Sequence, residues 1–175
     1  MANFTSEVLI TEEQLKARVK EIGAQITEDF KGESVLLVGI LKGSVPFMAD
    51  LMRAIDLDVT IDFMCVSSYG SATKTSGVVR IGKDLDTPIE GKNVIIVEDI
   101  IDSGLTLSYL KTQLLARNPK SLKICTALDK PSRRKVEFKG DYVGFEVEDK
   151  FIVGYGLDMD QHYRNLPYVS WIKEE

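Results

Sequence analysis

Val94-Ile95-Ile96-Val97-Glu98-Asp99-Ile100-Ile101-Asp102-Ser103-Gly104-Leu105-Thr106 decides the fold. It begins as a run of β-branched apolar residues, the way a strand buried on both faces of a parallel sheet reads. Two adjacent acids, Glu98 and Asp99, then stand where that strand is expected to end. A third acid, a serine, a glycine and a threonine follow, and a leucine-rich helical pattern comes next. In a parallel α/β sheet, ligands bind outside the carboxyl ends of the strands. A small-residue turn that opens a helix offers unpaired N–H groups and a positive dipole end to a phosphate. Acids beside an anion site need a reason, and a sugar diol with a divalent metal supplies one.

Outward from this stretch, strands and helices alternate. Thr11-Glu12-Glu13-Gln14 is a capping-box pattern, and Leu15, Val19, Ile22 and Ile26 follow at helical spacing, with Gly32 closing the segment. Residues 34–41 form an apolar strand. Ser44 is expected to cap the next helix, with Pro46 in its first turn and Phe47, Leu51 and Ile55 on one face. In residues 59–65, Val59, Ile61, Phe63 and Cys65 alternate with Thr60, Asp62 and Met64, as in a strand with two unlike faces. Residues 67–77, rich in Ser, Gly and Thr, read as a mobile loop before a strand at 78–83. A helix over about 105–117, a strand over 122–128 and a basic loop over 131–139 follow the central stretch. Short strands are expected at 143–147, 151–153 and 169–172. The alternation argues for an α/β fold with a mostly parallel sheet flanked by helices.

A chain of 175 residues fits one domain with a real core. At 44% hydrophobic and 28% charged it has the composition of a globular protein. A net charge of -5 argues against general nucleic-acid binding. It also means that local lysines, arginines and a bound divalent ion must reverse the sign wherever a polyanionic substrate sits. Cys65 and Cys125 both fall in strand-like segments and read as buried thiols in a reducing cytosol. The N-terminus has no basic n-region followed by an apolar h-region, and no apolar run is long enough to span a bilayer.

Further candidates share the carboxyl ends of strands. Leu41-Lys42-Gly43-Ser44 reads as a pyrophosphate cradle: Lys42 adds charge and Gly43 allows close backbone approach. Ser67-Ser68-Tyr69-Gly70 opens the long loop and reads as a lid that excludes water from a reactive intermediate. Lys130 follows a strand, and Phe151 and Ile152 precede Gly154-Tyr155-Gly156-Leu157-Asp158. A lysine that donates to a carbonyl, an aromatic that stacks on a base and an acid that binds a metal would together make a nucleobase pocket. The lone histidine, His162, has no partner cluster and reads as a surface residue.

With Leu41-Lys42-Gly43-Ser44, Ser68-Tyr69-Gly70, residues 97–106, Lys130 and the segment from Asp149 to Asp158 in this order, nearly the whole chain resembles the bacterial-type hypoxanthine-guanine phosphoribosyltransferases. The resemblance implies a type I phosphoribosyltransferase fold in a single domain over 1–175. Its hood would come from the N-terminal residues and roughly 150–175, and a flexible hairpin loop would close the site. It implies transfer of a ribosyl phosphate from 5-phosphoribosyl 1-pyrophosphate to N9 of hypoxanthine or guanine, with Mg²⁺, in purine salvage in the cytoplasm. By motif, Glu98 and Asp99 would engage the ribose hydroxyls and a metal, and Asp102 would be the general base or acid. Ser103, Gly104, Leu105 and Thr106 would hold the 5′-phosphate. Lys42, Gly43 and Arg164 would meet pyrophosphate, across a cis peptide between Leu41 and Lys42. Lys130 would contact the 6-oxo group, Phe151 would stack on the base, the Ile152 backbone would read its edge, and Asp158 would hold a second Mg²⁺. Ser68 and Tyr69 would belong to the lid. Such enzymes are commonly homodimers or homotetramers, and neither nucleic acid nor a membrane is an expected partner.

Two other readings stay open at this stage. One is a transferase preferring xanthine, because Lys130 and Phe151 favour a 6-oxopurine but rank hypoxanthine, guanine and xanthine poorly. The other is a nucleotide-sensing regulator on the same fold, which should show a basic face or an added DNA-binding domain. A bland flavodoxin-like binding module leaves the three acids and the other segments unexplained.

Overall fold

A computed structural model describes residues 5–68 and 79–173 of the chain. Among these, the chain runs β1 (Thr5–Ile10), α1 (Glu12–Asp29), β2 (Ser34–Leu41), α2 (Val45–Ala54), β3 (Asp58–Ser68), β4 (Val79–Lys83) and β5 (Asn93–Ile101). It continues through α3 (Leu105–Leu115), β6 (Ser121–Asp129), a short 3₁₀ turn (Pro131–Arg133), β7 (Tyr142–Glu146), β8 (Ile152–Val153) and β9 (Val169–Lys173). One sheet has the order β4-β3-β2-β5-β6-β7. Its strands β3, β2, β5, β6 and β7 are parallel, and β4 is antiparallel at the edge.

The continuous apolar runs are explained by cover on both faces. Val35 and Leu37 of β2 point into a cluster with Leu15, Ile22 and Ile26 of α1 and Phe47 and Leu51 of α2. Leu36, Val38 and Ile40 point the other way, into a cluster with Leu107, Leu110 and Leu114 of α3. From β2 the chain moves outward to β3, whereas from β5 it moves the opposite way to β6 and β7. The winding reverses between β2 and β5, where an open α/β sheet leaves a crevice at its carboxyl rim.

A second, antiparallel sheet has the order β1-β9-β8. Ile10, Ile152 and Val169 join the α1–α2 cluster, so this small sheet shares the main core. The sequence reading contains no strand at residues 5–10. Their alternation is weak, and their extended state comes from pairing with β9 at the far end of the chain, Thr5 opposite Lys173.

The α1 capping box is present. Thr11 Oγ1 accepts from Gln14 N at 3.2 Å, and Gln14 Oε1 accepts from Thr11 N at 2.8 Å. A cap of this kind contributes about 1 kcal/mol. The expectation for Ser44 is corrected. It precedes α2 but has helical backbone angles (φ -69, ψ -13) and makes no side-chain cap; its hydroxyl is buried without a partner among the described residues. A capping oxygen reaches back to the second or third N–H only from an extended backbone. Cys125 is buried, and burial pushes its thiol up; Cys65 is only half-buried, so it is not the core thiol its strand position suggests. Tyr69 and the rest of 69–78 lie outside the described residues, as does the side chain of Ser68.

Candidate active site

The site is built where β5 parts from β2. Pairing of β2 with β5 stops at Gly39 opposite Val97, while β5 stays paired with β6 as far as Ile101 opposite Asp129. The strand therefore does not end at the two acids; it runs past them, and Glu98 and Asp99 lie in the fork between two diverging strands. A cavity of about 450 Å³ opens there, lined by Leu41 and Gly43 on one side and by Glu98, Asp99, Asp102, Ser103, Gly104 and Thr106 on the other.

Glu98 and Asp99 share one small volume. Burial, and then the Asp99 charge beside it, push the Glu98 carboxyl well above the usual carboxylate range. Asp99 is raised too, again by burial, although it accepts from Ile100 N at 2.7 Å and feels the Arg164 charge. Two crowded acids with too little positive charge around them suit a divalent cation. Among the described residues no three Asp, Glu, His or Cys side chains converge on a common point. The donor set thus fits an ion that takes one or two carboxylates and completes its shell with substrate oxygens, the habit of Mg²⁺.

The turn that follows is tightly held. The Arg134 guanidinium donates to the carbonyls of Asp102 (2.6 Å) and Ile101 (3.3 Å) and pairs with Asp129. The Ser103 carbonyl accepts from Lys135 N at 2.9 Å, and its hydroxyl accepts from Leu105 N at 3.3 Å. Gly104 has φ +79 and turns the chain into α3. First-turn N–H groups lack intrahelical partners, and here they begin at the cavity wall. Facing them, the Leu41–Lys42 peptide is cis, as the resemblance implies. Lys42 Nζ donates to Gln161 at 3.3 Å, and Arg164 pairs with Asp158 at 2.8 Å and donates to the Gly156 carbonyl at 2.7 Å. Lys42, Asp158 and Arg164 are thus brought together, with Gln161, which the sequence reading missed, between them.

The base-facing candidates lie on the other side of Asp102. Lys130 is largely enclosed: its side chain is 12% exposed, and it donates to the Lys150 carbonyl at 2.6 Å. Phe151 is 54% exposed, while Ile152 beside it is buried in β8. His162 lies at the surface. Arg133 and Arg134 were legible only as part of a basic loop. The available signal was Pro131, which stiffens the turn carrying them.

The phosphoribosyl transferase domain family matches residues 8–160. The hypoxanthine-guanine phosphoribosyltransferase of Bacillus subtilis is 54% identical over 173 residues, covering 99% of this chain and 96% of that one. The bifunctional protein TilS/HprT of Listeria monocytogenes is 50% identical over 175 residues, which are all of this chain but 27% of the longer protein. A crystal structure of a hypoxanthine-guanine phosphoribosyltransferase from Bacillus anthracis, with HEPES in its active site, superposes with a TM-score of 0.92 at 53% identity. It covers 98% of this chain and 100% of that one. A small-residue turn opening α3 at the β2–β5 fork, an acidic pair beside it and likenesses over nearly the whole chain agree: the chain belongs to the hypoxanthine-guanine phosphoribosyltransferases of the phosphoribosyl transferase domain family.

Proposed function

We propose that this chain transfers the ribosyl phosphate of 5-phosphoribosyl 1-pyrophosphate to N9 of hypoxanthine or guanine, releasing pyrophosphate, as a purine-salvage enzyme of the cytoplasm. The observation that carries this reading is the fork of β2 and β5. There one cavity is lined by the small-residue turn before α3, an acidic pair and the Gly43 turn.

Each group has a physical task. The first-turn N–H groups of α3, with the hydroxyls of Ser103 and Thr106, hold the 5′-phosphate against the helix dipole. Glu98 and Asp99 accept from the ribose hydroxyls and would hold Mg²⁺; Asp158 would be the ligand for a second ion. The bound metal would supply countercharge for the pyrophosphate leaving group. Lys42, the Gly43 backbone and Arg164 bind the same anion. Asp102 stands beyond the ribose acids toward Lys130 and Phe151, and it removes or returns the purine proton. Lys130 donates to the 6-oxo group, Phe151 covers the ring and the Ile152 backbone meets its edge. The whole chain is one domain, with the β1-β9-β8 sheet as hood, assembling as a homodimer or homotetramer.

The test is turnover with 5-phosphoribosyl 1-pyrophosphate, Mg²⁺ and each purine base in turn, following nucleotide and pyrophosphate. Nucleotide from hypoxanthine and guanine, dependent on Mg²⁺, is expected. Preference for xanthine would transfer the assignment, and no turnover with any base would favour a nucleotide sensor.

A further inference from the structure

Arg133 and Arg134 sit side by side at the end of the 3₁₀ turn and point to different tasks. Arg134 is drawn inward, onto Asp129 and the carbonyls of Ile101, Asp102 and Phe138, and anchors the backbone. Arg133 reaches along the rim. Its Nε lies 3.3 Å from Asp102 Oδ1, and its Nη1 lies 3.5 Å from Asp149 Oδ2. Asp149 is also 4.0 Å from Lys130 Nζ, and Lys130 donates to the carbonyl of Lys150, the residue after Asp149. Charges therefore alternate in sign from the end of β5 to the segment that carries Phe151: Asp102, Arg133, Asp149, Lys130.

Three groups from three separate elements must surround one purine ring: Asp102 after β5, Lys130 after β6 and Phe151 before β8. The central sheet does not pair with the 149–151 segment: Phe151 is held from the other side, where its carbonyl accepts from Ile172 N of β9 at 3.0 Å, and the described side-chain link from this segment toward Asp102 runs through Arg133. We infer that Arg133 is a positioning residue that ties Asp102 to Asp149 and so sets the gap between the proton-transferring carboxylate and the stacking Phe151. The inference rests on the transferase reading. The forked guanidinium can address two carboxylates at once, which the single ammonium of a lysine does poorly. All three side chains are about half-exposed, so the contacts add little to stability; what they fix is geometry at the base site.

The experiment compares the unmodified protein with Arg133→Met, Arg133→Lys, Asp149→Asn and the Arg133→Met/Asp149→Asn double variant. It measures KM for hypoxanthine, KM for 5-phosphoribosyl 1-pyrophosphate, kcat and Tm. Arg133→Met should raise KM for hypoxanthine about three- to tenfold, with KM for the other substrate within about twofold and Tm unmoved. Arg133→Lys should recover only part of the loss. The double variant should be no worse than the worse single one, because the shared contact is lost only once. An unchanged KM for hypoxanthine, equal rises in both KM values, full rescue by lysine or multiplicative losses in the double variant would each overturn the inference. Lack of turnover by the unmodified protein would instead overturn the transferase reading, so the two failures are distinguishable.

Discussion

The two rims of the central sheet handle acids in opposite ways. At the amino rim, Glu33 before β2 accepts from Lys120 Nζ at 2.6 Å and from Asn93 Nδ2 at 2.6 Å, and the Ser121 hydroxyl donates to Asn93 Oδ1 at 2.8 Å. Lys120 and then Asn93 hold the Glu33 carboxyl below its usual range. At the carboxyl rim of the same strands, burial and Asp99 hold the Glu98 carboxyl above it. The lower rim closes its charge locally. At the upper rim Asp102 and Asp129 are paired with Arg133 and Arg134, but the Glu98–Asp99 pair has no ion-pair partner among the described residues. One sheet thus carries a charge-balanced edge and an edge with one crowded acidic pair.

Substrate choice at the upper rim gives the largest effect that could break this contrast. Lys130 has only donors, and adenine would set an amino group against it in a desolvated pocket. Sites built around one hydrogen bond reject analogues lacking it by roughly 10⁴–10⁵-fold. Hypoxanthine and guanine should therefore be used strongly and adenine almost not at all, with xanthine between them. Lys130→Ala should raise KM for hypoxanthine and guanine and narrow the gap. Comparable kcat/KM for adenine and hypoxanthine in the unmodified protein would remove Lys130 from the base site.

Next in size is Asp102. Asp102→Asn keeps the shape and removes the titrating group, so single-turnover rates should fall by about 10²–10⁴-fold with little change in affinity for 5-phosphoribosyl 1-pyrophosphate. An unaltered chemical step would leave the upper rim as a binding edge alone.

The two glutamates then sharpen the contrast through stability, measured as Tm without Mg²⁺ or substrate. A carboxyl raised in the folded state costs nothing below its usual value near 4.5, where folded and unfolded chains are both protonated. The penalty grows as pH rises from there toward the folded value. Glu98→Gln should therefore match the unmodified protein in acid and exceed it by about 2–4 °C near neutrality, while losing activity. Equal Tm at every pH would mean that the acidic fork carries no uncompensated charge.

Glu33→Gln should show the smallest effect and the opposite sign. Its lowered carboxyl contributes stability above the usual carboxylate range, and that contribution disappears as pH falls through the folded value. Near neutrality the variant should melt lower by about 2 °C or less, with activity retained, and the gap should close in acid. Lost turnover in this variant would contradict the separation of the two rims.

Much of this was legible in the sequence because it rests on local pattern. The apolar runs of β2, β5 and β6, the Thr11–Gln14 capping box and the small-residue turn before α3 each announce themselves within a dozen residues. What escaped depends on distant partners. β1 becomes a strand because β9 pairs with it, and the length of β5 is set by β6, which carries it past the acids. Ser44 has the composition of a cap but not the backbone of one. Arg133 and Arg134 are alike in sequence, and only the placement of Asp102, Asp129 and Asp149 around them separates an anchor from a bridge.

Two glycines stack over the acidic fork. A Cβ on Gly156 would overlap the Gly43 carbonyl, and one on Gly43 would overlap the Asp99 carboxylate. The Gly156 turn, the Gly43 turn and the Asp99 carboxylate of β5 are therefore three layers in direct contact, with no side chain on either glycine to space them. Such a column works as a spacer of fixed thickness. A displacement of the top layer reaches Asp99 undamped, and a methyl added at either glycine cannot be absorbed by trimming a neighbour, because the atoms it meets are main chain and the carboxylate itself. Laboratory evolution of this chain should find those two positions closed.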